Sequence, residues 1–134
     1  MKLVFAVLAQ SVSLDQMTGR LSLFNLVEGI QAPRFPTVLG ELVFVAVLRR
    51  EAADQNRFDA TLTVRIGQTT IGLANIAVDF QDKQNTRLIG NFQGLPVLTA
   101  GTLEFSLAIP NNEPISISIE AIQSPAPVVT TTAH

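Results

Sequence analysis

The sequence predicts an all-β fold, a two-sheet antiparallel sandwich of about eight strands, either immunoglobulin-like or jelly-roll-like. Three stretches carry this prediction, because their apolar residues recur at every second position: residues 58–66, 103–109 and 115–120. Side chains of a strand alternate between its two faces, so each stretch buries one face and exposes the other to water. Further strand candidates recur at the short spacing typical of a sandwich, and no stretch predicts a helix.

The first four strands are predicted from apolar segments that turn residues and prolines separate. They cover residues 2–14, 21–30, 41–50 and 57–66. Gly19 lies in the turn after the first strand, where it can supply a positive φ. Pro33 and Pro36 separate the second and third strands, because a proline removes a backbone donor and fixes φ.

The other four strands are predicted at residues 69–80, 86–92, 102–109 and 115–122. Gly67 and Gln68 predict a tight hairpin between the fourth and fifth strands, since glycine at the first central position suits a type II′ turn. We therefore assign residues 1–122 to the sandwich domain. Residues 123–134 are predicted to form an extended C-terminal tail, because they are rich in proline, valine and threonine.

Composition excludes several kinds of partner and site. The chain has 134 residues and a net charge of −2, so we expect no binding to nucleic acid or to a membrane. It has no cysteine, which excludes disulfides and thiolate metal sites. Only 15% of its residues are charged, below the roughly 25% of ordinary soluble domains. A small domain with few charges often covers its excess apolar surface by self-association.

The N-terminus imitates the start of a secretory signal, since Lys2 precedes the apolar residues 3–9. A cut after Ala9 would release a peptide far shorter than the usual ~15–30 residues, so we interpret this segment as a strand. No apolar run approaches the ~18 residues that a membrane helix needs. We expect a cytoplasmic protein, or part of a particle that assembles in the cytoplasm.

Two predicted strands are apolar on both faces. In the first strand the whole of residues 3–9 is apolar, and in the third Val43, Val45 and Val47 face away from the even-numbered residues 42–48. The outer face of a sandwich is normally solvated, so something must cover these valines. The sequence leaves two explanations open, a loop or tail of the same chain and an interface between subunits.

Several motifs in this order resemble those of a known family. They are Asp15 with Thr18-Gly19-Arg20-Leu21-Ser22-Leu23, then Pro33-Arg34-Phe35-Pro36, then Asn91-Phe92-Gln93-Gly94-Leu95-Pro96, and finally Ala100-Gly101-Thr102-Leu103-Glu104-Phe105. From Lys2 to Glu120 the chain resembles a family of small, uncharacterised bacterial proteins with an immunoglobulin-like or related β-sandwich. The resemblance implies the sandwich fold and no assigned activity. Leu103 stands where related domains commonly have an aromatic residue, so the tyrosine corner is absent.

The residues needed for catalysis or metal binding are scarce. The only histidine is His134, the last residue, which argues against Ser-His-Asp and Cys-His catalysis and against a zinc site. Asp79 and Asp82 flank a loop, but calcium needs about six to eight oxygens. Lys83 and Arg87 lie close by and supply the opposite charge. We therefore expect no enzyme, no metal and no cofactor.

Two further segments are candidates for interaction. Phe35 lies in a proline-containing loop with Arg34 beside it, and it either anchors that loop on the end of the sandwich or faces a partner; we favour the anchor. Val128 and Val129 begin a segment of high β-propensity that can add to a sheet edge of a neighbour. The other interpretation of this segment is a frayed terminus.

These observations favour a non-catalytic structural or interaction module. We expect it to self-assemble through its apolar sheet faces and its C-terminal extension, as a subunit of a shell, sheath, filament or capsid would. Its partner is then another copy of the chain or a different protein. The alternative is a cytoplasmic binding module that holds a protein or a small ligand with the loops at residues 33–36 and 94–96.

Overall fold

In a computed structural model of the chain, residues 1–124 are described and form two β-sheets. The strands are β1 (Lys2–Leu14), β2 (Leu21–Leu26), β3 (Gly29–Ala32), β4 (Thr37–Arg49), β5 (Arg57–Ile66), β6 (Thr69–Asp79), β7 (Asn85–Val97), β8 (Gly101–Ala108) and β9 (Ile115–Gln123). Sheet A has the order β2-β1-β4-β7, and sheet B has the order β3-β9-β8-β5-β6. The predicted all-β, two-sheet architecture is confirmed. Within these residues no helix is long and apolar enough to cross a membrane.

The strand bounds agree with the sequence prediction at most positions, and β1 and β5 have the predicted bounds. The prediction was wrong for residues 21–30, which are divided between β2 and β3 in different sheets. Asn25 has a φ of 55°, in the left-handed region, so it interrupts a regular strand there. β3 pairs with β9 in parallel, and this pair departs from the antiparallel arrangement that we predicted.

The hairpin between β5 and β6 has the turn that the sequence predicts. Gly67 has a φ of 57°, whereas Gln68 does not adopt a positive φ. A type II′ turn requires a positive φ only at its first central residue, and glycine supplies it without steric cost.

The core lies between the two sheets and is centred on three phenylalanines. Phe44 of β4 stacks on Phe105 of β8 with ring centroids 6.5 Å apart, and Phe92 of β7 meets Phe105 edge-on at 6.4 Å. The alternating apolar residues that predicted the strands contribute to the same core: Ala60, Leu62, Val64, Leu103, Phe105 and Leu107. The period-two pattern therefore identified the buried faces of β5 and β8.

Two glycines allow the sheets to approach each other closely. A Cβ atom on Gly90 of β7 would lie 2.8 Å from Cδ2 of Leu62 and 3.4 Å from Cδ1 of Ile76. A Cβ atom on Gly72 of β6 would lie 2.8 Å from Cδ1 of Leu95. A side chain at either position would have to displace buried neighbours, so glycine is needed here for packing.

Replacing Gly90 with valine should destabilise the fold by roughly 1–3 kcal/mol, because the added carbons overpack the core beside Leu62. Gly40→Val is the matched control, since Gly40 is exposed on β4 and a Cβ there would meet nothing within 4 Å. The control should change the free energy of unfolding by less than about 0.5 kcal/mol. Urea denaturation measures both values, and equal losses in the two variants would contradict the close approach at Gly90.

Candidate interaction surface

The second half of β1 turns away from β4 and, together with β2, forms a hairpin of sheet A that folds back over the outer face of β4. β1 pairs with β4 over Lys2–Ala9 and with β2 over Ala9–Leu14. At the tip of this hairpin the carbonyl of Gly19 accepts a 2.6 Å hydrogen bond from Nη2 of Arg87. Arg87 lies opposite Val47 in the ladder between β4 and β7, so the tip reaches back over the C-terminal half of β4.

Asp15 holds the turn at the tip of the hairpin. Its Oδ1 accepts hydrogen bonds from the backbone N–H of Met17 at 2.9 Å and of Thr18 at 3.4 Å. These bonds, above all the one from Met17, lower the pKa of Asp15 below its ordinary value. Gly19 donates to the carbonyl of Asp15 and has a φ of 72°, as predicted for this turn.

The hairpin lies against the outer face of β4 beside Val45 and Val47. Val43 and Val45 are completely buried although they lie outside the core between the sheets. Leu21 and Leu23 of β2 line a groove together with Val45 and other residues of the outer face. Cover by the same chain therefore keeps Val43 and Val45 from the surface. A subunit interface on this side of sheet A would therefore be formed by the hairpin, not by Val43 and Val45.

The groove between the hairpin and sheet A has a volume of 360 Å³. Its apolar lining consists of Phe5, Leu21, Leu23, Val45 and Val47, and its polar rim consists of Asn85, Thr86 and Arg87. Val47 is half-buried in this groove. It is therefore the predicted interface valine of β4 that comes nearest to solvent.

Exposed apolar side chains are concentrated on the same part of the molecule. Within residues 1–124, eleven large apolar side chains are exposed, and seven of them lie in residues 3–26. Three lie in the first half of β1 and four in the hairpin, and we call all seven the hairpin surface: Leu3, Val4, Phe5, Leu14, Met17, Phe24 and Leu26. The other four are scattered over the structure: Val38, Leu73, Leu98 and Ile122.

The outer face of sheet B is polar in contrast. The residues that alternate with the buried positions of β5, β8 and β9 are mostly hydroxylated or charged: Thr61, Thr63, Arg65, Thr102, Glu104, Ser106, Ser116, Ser118 and Glu120. Such a face is stable in water without a partner. The two outer faces therefore differ, and only that of sheet A requires an apolar cover.

The structure places the remaining predicted interaction residues as follows. Phe35 is half-buried and packs against the core, as expected for an anchor of its loop, while Arg34 beside it is exposed. The carbonyl of Pro33 accepts a 3.1 Å hydrogen bond from Nε2 of Gln123, which connects this loop to β9. Val128 and Val129 lie outside the described residues.

The acidic loop residues are engaged in local contacts. Oδ2 of Asp79 lies 3.2 Å from Nε of Arg57, and Oδ1 of Asp82 accepts a 3.1 Å hydrogen bond from Nδ2 of Asn56. Within residues 1–124 no group of three or more histidine, cysteine or acidic side chains could hold a metal ion. The loop after β6 therefore makes structural contacts between neighbouring loops.

Asp54 makes the closest contact of a described carboxylate with a cation. Its Oδ2 lies 2.8 Å from the amino group of Met1 and accepts a 2.8 Å hydrogen bond from the backbone N–H of Glu51. The bond from the amino group, followed by that from Glu51, lowers the pKa of Asp54. This contact fastens the start of β1 to the loop between β4 and β5.

Comparison with known proteins assigns a family but no activity. A family model described as a family of unknown function, DUF6941, matches residues 4–122. No curated protein matches the chain. The match covers all nine described strands except the ends of β1 and β9.

Replacing Arg87 with methionine should loosen the hairpin, because methionine retains a long unbranched side chain but lacks the donor to the Gly19 carbonyl. We expect hydrogen exchange of the β2 amides to become about fivefold faster, as the loss of one hydrogen bond of about 1 kcal/mol implies. Arg65→Met on the outer face of sheet B is the control and should leave β2 unchanged. Unaltered exchange in Arg87→Met would show that this hydrogen bond does not hold the hairpin.

Asp54→Asn should lower the free energy of unfolding at pH 7 by about 1 kcal/mol, because the neutral amide loses the charge attraction to the amino group of Met1. A carboxylate whose pKa is lower in the folded than in the unfolded state stabilises the fold above the unfolded value, which is about 3.9. That contribution disappears as the pH falls through the folded pKa. The melting temperature of Asp54→Asn should therefore be lower than that of the parent at pH 7. This difference in melting temperature should diminish below about pH 3.9.

The exposed Glu113→Gln serves as the control for this pH series and should follow the parent at every pH. A pH-independent difference between Asp54→Asn and the parent would contradict a stabilising role for the charge of Asp54.

Proposed function

The chain belongs to the DUF6941 family of unknown function, and we propose that it is a non-catalytic interaction module that self-associates through the hairpin surface. The observation that carries this proposal is the concentration of exposed large apolar side chains on residues 3–26, which hold seven of the eleven found in residues 1–124. Contiguous apolar surface is rare on monomeric proteins and commonly marks a site of protein contact. The proposal retains self-association from the sequence prediction and moves the contact from the valines of β4 to the hairpin.

The edge of sheet A supports the same role. β2 is an edge strand and carries no charged side chain and no proline from Leu21 to Leu26. Natural proteins usually protect an exposed edge with charges or proline, because an unprotected edge pairs with other chains. Asn25, with its left-handed backbone, limits the regular edge to Leu21–Phe24. This short edge is suited to antiparallel pairing with β2 of a second copy about a two-fold axis.

Low charge favours contact between identical copies. The net charge of −2 and the charged fraction of 15% produce little repulsion between two chains. A single two-fold contact gives a dimer, whereas a shell, sheath or filament needs a second, independent contact. We propose the dimer contact alone, and we propose that the protein acts in the cytoplasm.

The alternative role, a binding module that uses its proline-containing loops, has weaker support. The prediction of a loop at residues 94–96 was wrong, because these residues lie within β7 and pair with β4. In the loop at residues 33–36 Phe35 is half-buried and packs against the core, while Pro33, Arg34 and Pro36 are exposed. A catalytic role is not proposed, because the acidic side chains of the loops near Asp79 and Asp54 are already paired with neighbouring groups.

Phe24→Asp tests self-association through the hairpin. Phe24 is 49% exposed, so the change should leave the fold intact while it places a charge in the proposed contact. We expect the dissociation constant of the oligomer to rise at least about thirtyfold, since a central aromatic residue commonly contributes 2 kcal/mol or more to an interface. Light-scattering chromatography over a concentration series measures this constant, and circular dichroism confirms the fold.

Ser118→Asp is the matched control, because it adds the same charge to an exposed strand position on the polar face of sheet B. A parent protein that stays monomeric at every concentration would contradict the proposal. Equal weakening by both substitutions would show that the added charge, and not the hairpin surface, controls association.

A further inference from the structure

Among residues 1–124, the first part of β4 has a strand partner on only one of its sides. β4 pairs with β7 from Thr37 to Arg49, whereas β1 meets β4 only from Val43 onward. In the part of the chain that the structure describes, no strand and no further backbone hydrogen bond occupies the β1 side of Thr37–Leu42. An edge of this kind presents backbone N–H and C=O groups to an added strand.

A groove of 380 Å³ runs along this edge, and we call it the β4 slot. One wall consists of residues 39–42 of β4, and the opposite wall consists of residues 25–31 together with Gln10. Leu26, on the wall opposite β4, is 55% exposed, and Val38, which precedes the slot on β4, is 65% exposed. An apolar segment bound in the slot would bury Leu26, which lines it. The slot therefore combines unpaired backbone with apolar side chains.

The C-terminus of the described chain lies beside the entrance to the β4 slot. The backbone N–H of Ser124 donates a 3.0 Å hydrogen bond to the carbonyl of Ala32. Ala32 is followed by the short connection 33–36, which enters β4 at Thr37. Residues 125–127 separate Ser124 from Val128 and can span at most about 14 Å between these two residues. Because Gln31, the neighbour of Ala32, lines the slot, the chain after Val128 is within reach of that end of the slot.

The sequence of residues 128–132 suits this position. It reads Val-Val-Thr-Thr-Thr, five β-branched residues without charge or proline. Such residues favour the extended backbone of a strand and pack well on a pleated surface. Glu28 and Glu41, which line the slot, would repel an acidic segment, and residues 128–132 contain no acidic side chain.

We propose that residues 128–132 of the same chain bind in the β4 slot as an additional strand of sheet A. The same chain is favoured over a second copy because a short connection holds the segment at millimolar effective concentration. The bound segment would protect the exposed edge of β4 from other chains. The proposal does not rest on self-association through the hairpin, since a monomer can hold its own segment and an oligomer can form without it.

A disulfide across the slot tests whether residues 128–132 of the same chain bind there. The protein has no cysteine, so the variant with Gly40→Cys and Thr130→Cys contains a single pair of thiols. Gly40 lies on the β4 wall of the slot, and a side chain there meets nothing within 4 Å. Mild oxidation of the full-length chain should join the two cysteines within one molecule. Non-reducing electrophoresis and intact-mass measurement detect this product.

The control pair combines Thr130→Cys with Ser118→Cys on the outer face of sheet B. Equal yields from the two pairs, or no intramolecular product from the slot pair, would overturn the proposal. A product that consists only of disulfide-linked dimers would show that the segment binds to a second copy, which contradicts the occupant proposed here.

Hydrogen exchange provides a second test that needs no crosslink. Val129→Pro in the full-length chain removes a backbone donor and disturbs strand pairing of residues 128–132. We expect amides in Val38–Leu42 to exchange about tenfold faster than in the parent, while those in Val43–Arg49 remain unchanged. Ala133→Pro, placed after the segment, is the control and should have no effect. Identical exchange of Val38–Leu42 in both variants would overturn the proposal.

Discussion

The division of β1 between two partners is the constraint on which the other features of this structure depend. Up to Ala9 the strand belongs to the ladder with β4, and beyond Ala9 it pairs with β2 and turns away from β4. Because β1 separates from β4 after Ala9, the hairpin can fold back over sheet A. There Arg87 donates a hydrogen bond to the carbonyl of Gly19 at the tip of the hairpin. Among the described residues this separation also leaves the first part of β4 paired with β7 alone, with no strand on the side of β1. One change of partner thus creates both the cover of the outer face and the β4 slot.

The hairpin keeps water from an apolar outer face, which a two-sheet sandwich does not normally have. Val43 and Val45 would face water on the outside of sheet A, and burying each contributes about 2 kcal/mol. The hairpin that buries them places its own apolar residues, among them Phe24 and Leu26, on the new surface. The hairpin therefore covers the outer face of β4 but exposes apolar side chains of its own. Sheet B needs no such cover because its outer face is polar.

Much of the fold could be predicted from the sequence because the decisive pattern is local. Alternation identified β5 and β8 and their buried faces, and Gly67 identified the turn between β5 and β6. The segment at residues 21–30 was predicted as one strand, since no proline or glycine lies within it before Gly29. The left-handed conformation of Asn25 and the transfer of the chain to sheet B depend on contacts with distant residues, such as the bond of Val27 to Leu8.

The sequence by itself determined that the protein is a two-sheet β-sandwich and that β4 has two apolar faces. It also left two explanations for what covers Val43, Val45 and Val47: a segment of the same chain or a second subunit. Only the tertiary structure decided that β1 and β2 fold over these valines and that Phe35 packs against the core. The reason is physical: alternation records whether a side chain is buried, but the identity of the covering segment depends on which distant strands pair.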